Sequence, residues 1–241
     1  MKRSKLSLIA LIASAGIILP AAVGMGSPDQ KDSKPATTTT TNDQKDHHKD
    51  HSKDHNKDAK QTEAAAKIGS IAPAFTLTDT DGKTISLSDF AGKIVVVTWF
   101  NPGCPFVKKH FENGASTFND LNKKYGEQGV VFVAINSGAP GKEGAGKEAN
   151  SSVRKDWKIE FPILLDESGK VGKLYGAKRT PEMFIINKDG TLAYHGAIDD
   201  EPGKNIGKTN YVAKALDEIL AGKPVTTTQT KPYGCTVKYG S

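Results

Sequence analysis

Residues 93–100 (KIVVVTWF) constrain this chain more than any other segment. The run is β-branched and aromatic without polar alternation. It reads as a strand buried on both faces, and such a strand needs layers packed above and below it. It stops at the loop Asn101-Pro102-Gly103. Cys104-Pro105 then opens a helical pattern to about Tyr125, with Phe106, Phe111, Phe118 and Leu121 as its core contacts. Ahead of the run, Phe75-Thr76-Leu77-Thr78 and Ile85-Ser86-Leu87 alternate on either side of Asp81-Gly82, the pattern of a β-hairpin. Residues 130–135 read as a second buried strand, and residues 137–146 as a Gly-rich loop without the G-K-[ST] of a phosphate-binding loop. There follow a helix near residues 147–157, a helical turn at 171–175, a strand at 183–186, a turn at Asp189-Gly190, a strand at 192–195, and a helix at 211–220 that Gly222 stops. Strands alternating with helices and ending in a hairpin predict an α/β fold: a central mixed β-sheet flanked by helices, with the N-terminal β-hairpin as an extension.

The first part of the chain has a different composition. Lys2, Arg3 and Lys5 precede a 14-residue apolar stretch from Leu6 to Leu19, and Pro20 and small residues follow. We expect a signal peptide over residues 1–26 and therefore an exported, periplasmic or secreted protein. The apolar stretch is shorter than a membrane span, so stable membrane insertion is not expected. Residues 27–66 offer almost nothing to bury and read as a disordered linker rich in His, Lys and Asp. A four-residue repeat in it sets His47, His51 and His55 at i,i+4 spacing. A solvated spacer is the plain interpretation, and weak divalent-metal binding is the alternative. One folded domain is expected over residues 67–222, followed by a tail, residues 223–241, that carries Cys235. The chain has 33 Lys+Arg against 27 Asp+Glu, a net charge of +6, and without the three leader cations +3 remains. That is too small an excess to argue for nucleic acid as a partner.

The chain has two cysteines. That number excludes a disulfide-rich scaffold and a four-cysteine zinc site, and no metal centre or cofactor is expected. Cys104 lies between the loop after the buried strand and a proline, the residue favoured at the first helical position. It should therefore stand at the N-cap, where free N–H groups and the helix dipole favour an anion. A reactive thiolate of lowered pKa is expected there, with Lys108 one turn on. His110 lies too far round the helix to be its base and is expected on the helix face. His195 is expected to be structural.

The segment "IAPAFTLTDTDGKTISLSDFAGKIVVVTWFNPGCPF" resembles the start of the thioredoxin-like redoxins of the alkyl hydroperoxide reductase/thiol-specific antioxidant family. The resemblance continues through Thr180-Pro181 and "MFIINKDGTLAYHGAID". "CPFVKKHF", "HGAIDD" and "GCTVKY" are most similar to exported bacterial peroxiredoxin-like members. It implies a thioredoxin-like fold and thiol redox chemistry. Cys104 falls on the nucleophilic cysteine of a C-x-x-C, but its partner position holds Val107, so a local dithiol is missing. A peroxiredoxin carries Thr or Ser three residues before its peroxidatic cysteine and Pro seven before. Here these are Asn101 and Val97. Asn101 either donates a hydrogen bond to a thiolate or peroxide or only caps its loop. Pro181 falls on the cis-proline that faces the active cysteine in such folds. Arg179 beside it either stabilises a thiolate or peroxide oxygen or is a solvated surface residue.

Cys235 lies on an extended, Thr-rich tail, and an exported chain permits disulfides. Joined to Cys104 it would close a loop of about 130 residues, roughly 5 kcal/mol in the chain-entropy account. The expectation is a thiol-disulfide oxidoreductase or peroxiredoxin-like antioxidant. Cys104 would attack a protein disulfide or a peroxide, Cys235 would resolve the intermediate, and a dithiol protein or small thiol would serve as reductant. A permanent structural disulfide is the rival for the pair. A non-catalytic metal-handling module using the His-rich linker is the rival for the protein.

Overall fold

In the computed structural model, the described residues are 66–241. The expected signal peptide, the linker up to residue 65 and its histidine repeat lie outside them.

The strands are β1 (Thr76–Asp79), β2 (Thr84–Ser86), β3 (Val95–Trp99), β4 (Val131–Asn136), β5 (Ile163–Leu165), β6 (Arg179–Thr180), β7 (Glu182–Ile186), β8 (Leu192–Gly196) and β9 (Cys235–Thr236). The helices are α1 (Pro105–Lys108), α2 (Thr117–Gly126), α3 (Gly146–Asp156), α4 (Lys170–Tyr175) and α5 (Tyr211–Leu220). Seven strands form one sheet in the order β2-β1-β5-β4-β3-β7-β8. β3 runs parallel to β4 and β4 to β5, while β7 and β8 at one side and β1 and β2 at the other add antiparallel. The mixed sheet and the hairpin extension are as expected.

β3 occupies the buried position its composition requires. All five of its residues are buried. Val96 faces one apolar layer with Phe132, Ala134, Met183 and Ile185 from β4 and β7. Val95, Val97 and Trp99 face the other layer, with Val133, Ile135, Phe184 and Ile186. Side chains that alternate across a strand while both faces stay dry leave no polar position to mark the period, hence the unbroken apolar run.

Three features depart from expectation. The single helix over residues 105–125 is two: α1 ends at Lys108, and α2 starts at Thr117. Between them Asn113 (φ 57°) and Gly114 (φ 83°) are left-handed, which a continuous helix does not allow. Phe111 bridges the break, stacked on Phe118 at 5.1 Å and on Trp157 at 4.8 Å. The short strand β5 was not anticipated, since three residues after Pro162 carry too little periodicity. The tail, expected only to be extended, forms a two-stranded sheet of its own, β6 with β9.

Candidate active site

Cys104 stands where α1 begins. It is the N-cap residue with Pro105 following, and its carbonyl accepts from the N–H groups of Val107 and Lys108, both at 3.0 Å. The expected N-cap is there, but four residues of helix carry only a small dipole. The thiol itself is buried, 3% exposed, and donates to the Thr180 carbonyl at 3.0 Å. The Thr180–Pro181 peptide is cis, as the resemblance implied.

Thr180 meets both cysteines. Its carbonyl accepts from Cys104. Its strand, β6, pairs antiparallel with β9 in the register Thr180↔Cys235 and Arg179↔Thr236. Both cysteines are free thiols. Burial first, then hydrogen bonding to Cys104 and the Cys104 charge, push the Cys235 thiol up to about 12. Cys235 thus remains protonated at any ordinary pH. Two of the causes that hold Cys235 protonated depend on Cys104 being reduced.

The tail reaches this place along a laced path. His195 N–H donates to Thr228, Thr230 N–H to His195, and Ala197 N–H to the Thr230 hydroxyl. Past Cys235, Val237 N–H donates to Lys178, Ala139 N–H to Lys238, and the Tyr239 hydroxyl to Ala177 at 2.8 Å. Gly234 (φ 107°) makes the crossing possible, because a Cβ there would be driven into the Thr180 carbonyl.

The other sequence candidates sit as follows. Val107, at the position of the absent second cysteine, is fully buried in the core layer beneath Cys104. Asn101 is buried and committed to its loop: its amide donates to the Glu143 carbonyl at 2.9 Å, and its Oδ1 accepts from Gly103 N–H at 2.7 Å. The loop-capping alternative describes it. Arg179 is exposed and meets the site through its backbone, in the ladder with Thr236 and in an N–H bond to Glu182. His110 is not on a helix face. It follows α1 and is fully buried.

Four further residues frame the site. Glu182, 1% exposed, accepts from the Lys178 and Arg179 N–H groups at 2.7 Å each and pairs with His195 Nε2 at 2.6 Å. It fixes the turn that carries β6. Tyr233, two residues before Cys235, donates to Asp199 Oδ1 at 2.5 Å and meets His110 Nε2 at 3.2 Å. Because the phenol gives its proton to Asp199, His110 must supply Nε2–H, which leaves its Nδ1, an atom without a partner, as a bare lone pair. Desolvation accordingly holds His110 well below its ordinary value, at about 4. Burial and the bond to Asp199 push the Tyr233 hydroxyl far up. The Lys109 ammonium lies 4.5 Å above the Tyr233 ring and donates to the carbonyls of Glu201, Gly203 and Asn205. In the sequence Asp199 lies within "HGAIDD" and Lys109 within "CPFVKKHF", while no motif marked Glu182 or Tyr233.

The profile of the AhpC/TSA family matches residues 68–195. This chain belongs to that family. It is 34% identical to the thiol-disulfide oxidoreductase ResA of Bacillus thuringiensis subsp. konkukian over 133 residues, 54% of this chain and 69% of the relative. It is 33% identical to the chloroplastic peroxiredoxin Q of Triticum aestivum over 159 residues, 61% of this chain and 67% of the relative. A hypothetical protein of Sinorhizobium meliloti 1021 has a crystal structure similar to this redoxin, with a TM-score of 0.66 and 32% identity, covering 73% of this chain and 97% of the other. The redoxin has the thioredoxin-like fold and is an oxidoreductase.

Proposed function

We propose that this redoxin is an exported thiol-disulfide oxidoreductase whose redox couple is Cys104 and Cys235. The register pair Thr180↔Cys235 carries this reading, because it sets the tail cysteine against the carbonyl to which Cys104 donates. Export rests on the leader-like residues 1–26, which are proposed to be removed.

The Cys104 thiolate attacks one sulfur of a substrate disulfide, forms a mixed disulfide and expels the other sulfur as a thiolate. The Cys104 charge is then gone, and with it two of the four causes that hold the Cys235 proton, burial and Glu143 being the two that stay. Cys235 gives its proton to the thiolate just expelled and attacks Cys104 Sγ, and the second substrate thiolate leaves. The substrate has gained two electrons, the protein holds a Cys104–Cys235 disulfide, and an external dithiol returns it to the start. Peroxide reduction is the second reading. It is favoured by the burial of Cys104, which suits a small oxidant: the thiolate would take one oxygen to give a sulfenic acid and an alcohol or water, and Cys235 would condense with it, releasing water. The commitment of Asn101 to its loop speaks against this one.

The test is to assay wild type, Cys104→Ser and Cys235→Ser with hydrogen peroxide and with a model disulfide. Disulfide turnover lost in the first variant and arrested at the mixed disulfide in the second is expected. Full activity in Cys104→Ser would overturn both readings. A couple with a potential well below about −300 mV would make the bridge structural instead.

A further inference from the structure

The tail is laced at several points, and besides the contact between the two cysteines Tyr233 ties it to the turn of chain that follows the nucleophile. Tyr233 is separated from Cys235 by Gly234 alone. Its hydroxyl joins His110 and Asp199, its ring lies under Lys109, and its ring centroid is 6.1 Å from that of Phe106. Phe106, Lys109 and His110 all follow Cys104 within six residues. His110 and Asp199, the two partners of the hydroxyl, are buried; Asp199 would keep the N–H groups of Glu201 and Gly207, but His110 Nε2 would be left stranded away from water.

We propose that Tyr233 is the positioning residue of the redox couple: it clasps the tail to the residues after Cys104 and so sets the rate at which Cys235 reaches the Cys104 sulfur. The inference rests on the reading of Cys235 as the resolving cysteine. Tyr233 touches neither substrate nor reacting sulfur. It acts through the register of the single residue between it and Cys235. The ring and the hydroxyl divide the work. The ring fills the space beneath the Lys109 ammonium, and the hydroxyl fixes direction through a charge-assisted bond to Asp199 and the bond from His110.

The experiment is stopped-flow reaction of the reduced full chain with an excess of a chromogenic aromatic disulfide. Attack by Cys104 breaks the S–S bond, forms the mixed disulfide and releases one aromatic thiolate. Attack by deprotonated Cys235 on Cys104 Sγ releases the second and forms Cys104–Cys235. Wild type should release two equivalents and Cys235→Ser one. Tyr233→Phe keeps the ring, and should still release two, the first at the wild-type rate and the second slower on the order of tenfold, the expected effect of losing a hydrogen bond to a charged group. Asp199→Asn retains an acceptor for the phenol and should slow the second step less. Hydrogen exchange read at residues 228–239 should rise in Tyr233→Phe while α2 and β3 stay protected. One equivalent from wild type would sink the resolving role of Cys235 itself. Two equivalents from wild type with an unchanged second phase in Tyr233→Phe would sink the clasp alone. Equal slowing of both phases would make Tyr233 merely structural and overturn the proposal as well.

Discussion

His110 should make the fold acid-sensitive in a window set by one side chain. Folded, it is held uncharged near 4, against an ordinary value of 6.5. Desolvation dominates, Asp199 opposes it by favouring the charged form, and Lys109 adds to it. The geometry agrees: a second proton would have to sit on Nδ1, where nothing accepts it. The sign follows from linkage. The unfolded chain takes up a proton as pH falls through 6.5 and the folded chain does not, so stability is lost from that point downward. The loss is complete only below the folded value. The interval from 6.5 to about 4 amounts to about 3 kcal/mol, with about 2 kcal/mol already lost by about pH 5. Urea unfolding of wild type and His110→Gln, at pH values from about 7.5 to about 4.5, isolates this contribution, because the carboxylates are common to both. The variant should be the less stable at neutral pH, losing ring contact with Phe118, and the gap should close by about 2 kcal/mol as pH falls to about 5. Parallel curves would show that His110 takes up its proton as readily folded as unfolded, and a gap that widens toward low pH would show it protonated in the fold; either would overturn the tautomer inferred from Tyr233.

Three more outcomes follow from the geometry. Glu182→Ala strands two N–H groups and His195 beside the β6 turn, and should lower thermal stability by roughly 3 kcal/mol, measured by calorimetry. Gly234→Ala puts a Cβ against the Thr180 carbonyl; it should leave the first thiolate release intact and suppress the second, and a wild-type second phase would show that β9 is not the reactive register. Val107→Cys in the Cys235→Ser background supplies a thiol three residues after Cys104. It should restore the second equivalent lost with Cys235, and continued arrest at one equivalent would count against the idea that the tail replaces a local partner.

How much was legible depended on periodicity and on separation along the chain. β3 and β4 announce themselves because burial on both faces leaves a continuous apolar run. α5 does so because Val212 and Leu216 recur at helical spacing between Asn210, whose side chain caps the Ala213 N–H, and Gly222. Cys104 was legible from loop and proline alone, and Pro181 only through resemblance. The break between α1 and α2 was marked by Asn113-Gly114 in plain view, but the apolar spacing of Phe111, Phe118 and Leu121 outweighed it. Glu182 reads as a polar residue bordering an apolar strand, and nothing local says that its carboxylate ties down a turn. Asp199 and Tyr233 are separated by 34 residues, and neither their bond nor the burial that strengthens it has a local signature.

β9 is the instructive failure. Two residues have no period, and Cys235-Thr236 contains nothing apolar enough to demand burial. What places it is partnership: a glycine without a side chain to obstruct the Thr180 carbonyl, a tyrosine anchored two residues earlier, and Val237 bonded to Lys178 one residue after the strand. This bears on the absent C-x-x-C. In that motif the helix fixes the second sulfur, so the couple's effective concentration is a property of helix geometry. Here Val107 fills that position with core packing, and the second sulfur arrives on a strand whose docking has a free energy of its own. On the proposed reading, the reducing power of a Cys104–Cys235 couple therefore depends on how well the tail is seated, and residues that never touch sulfur, Tyr233 and Gly234 first among them, become its determinants.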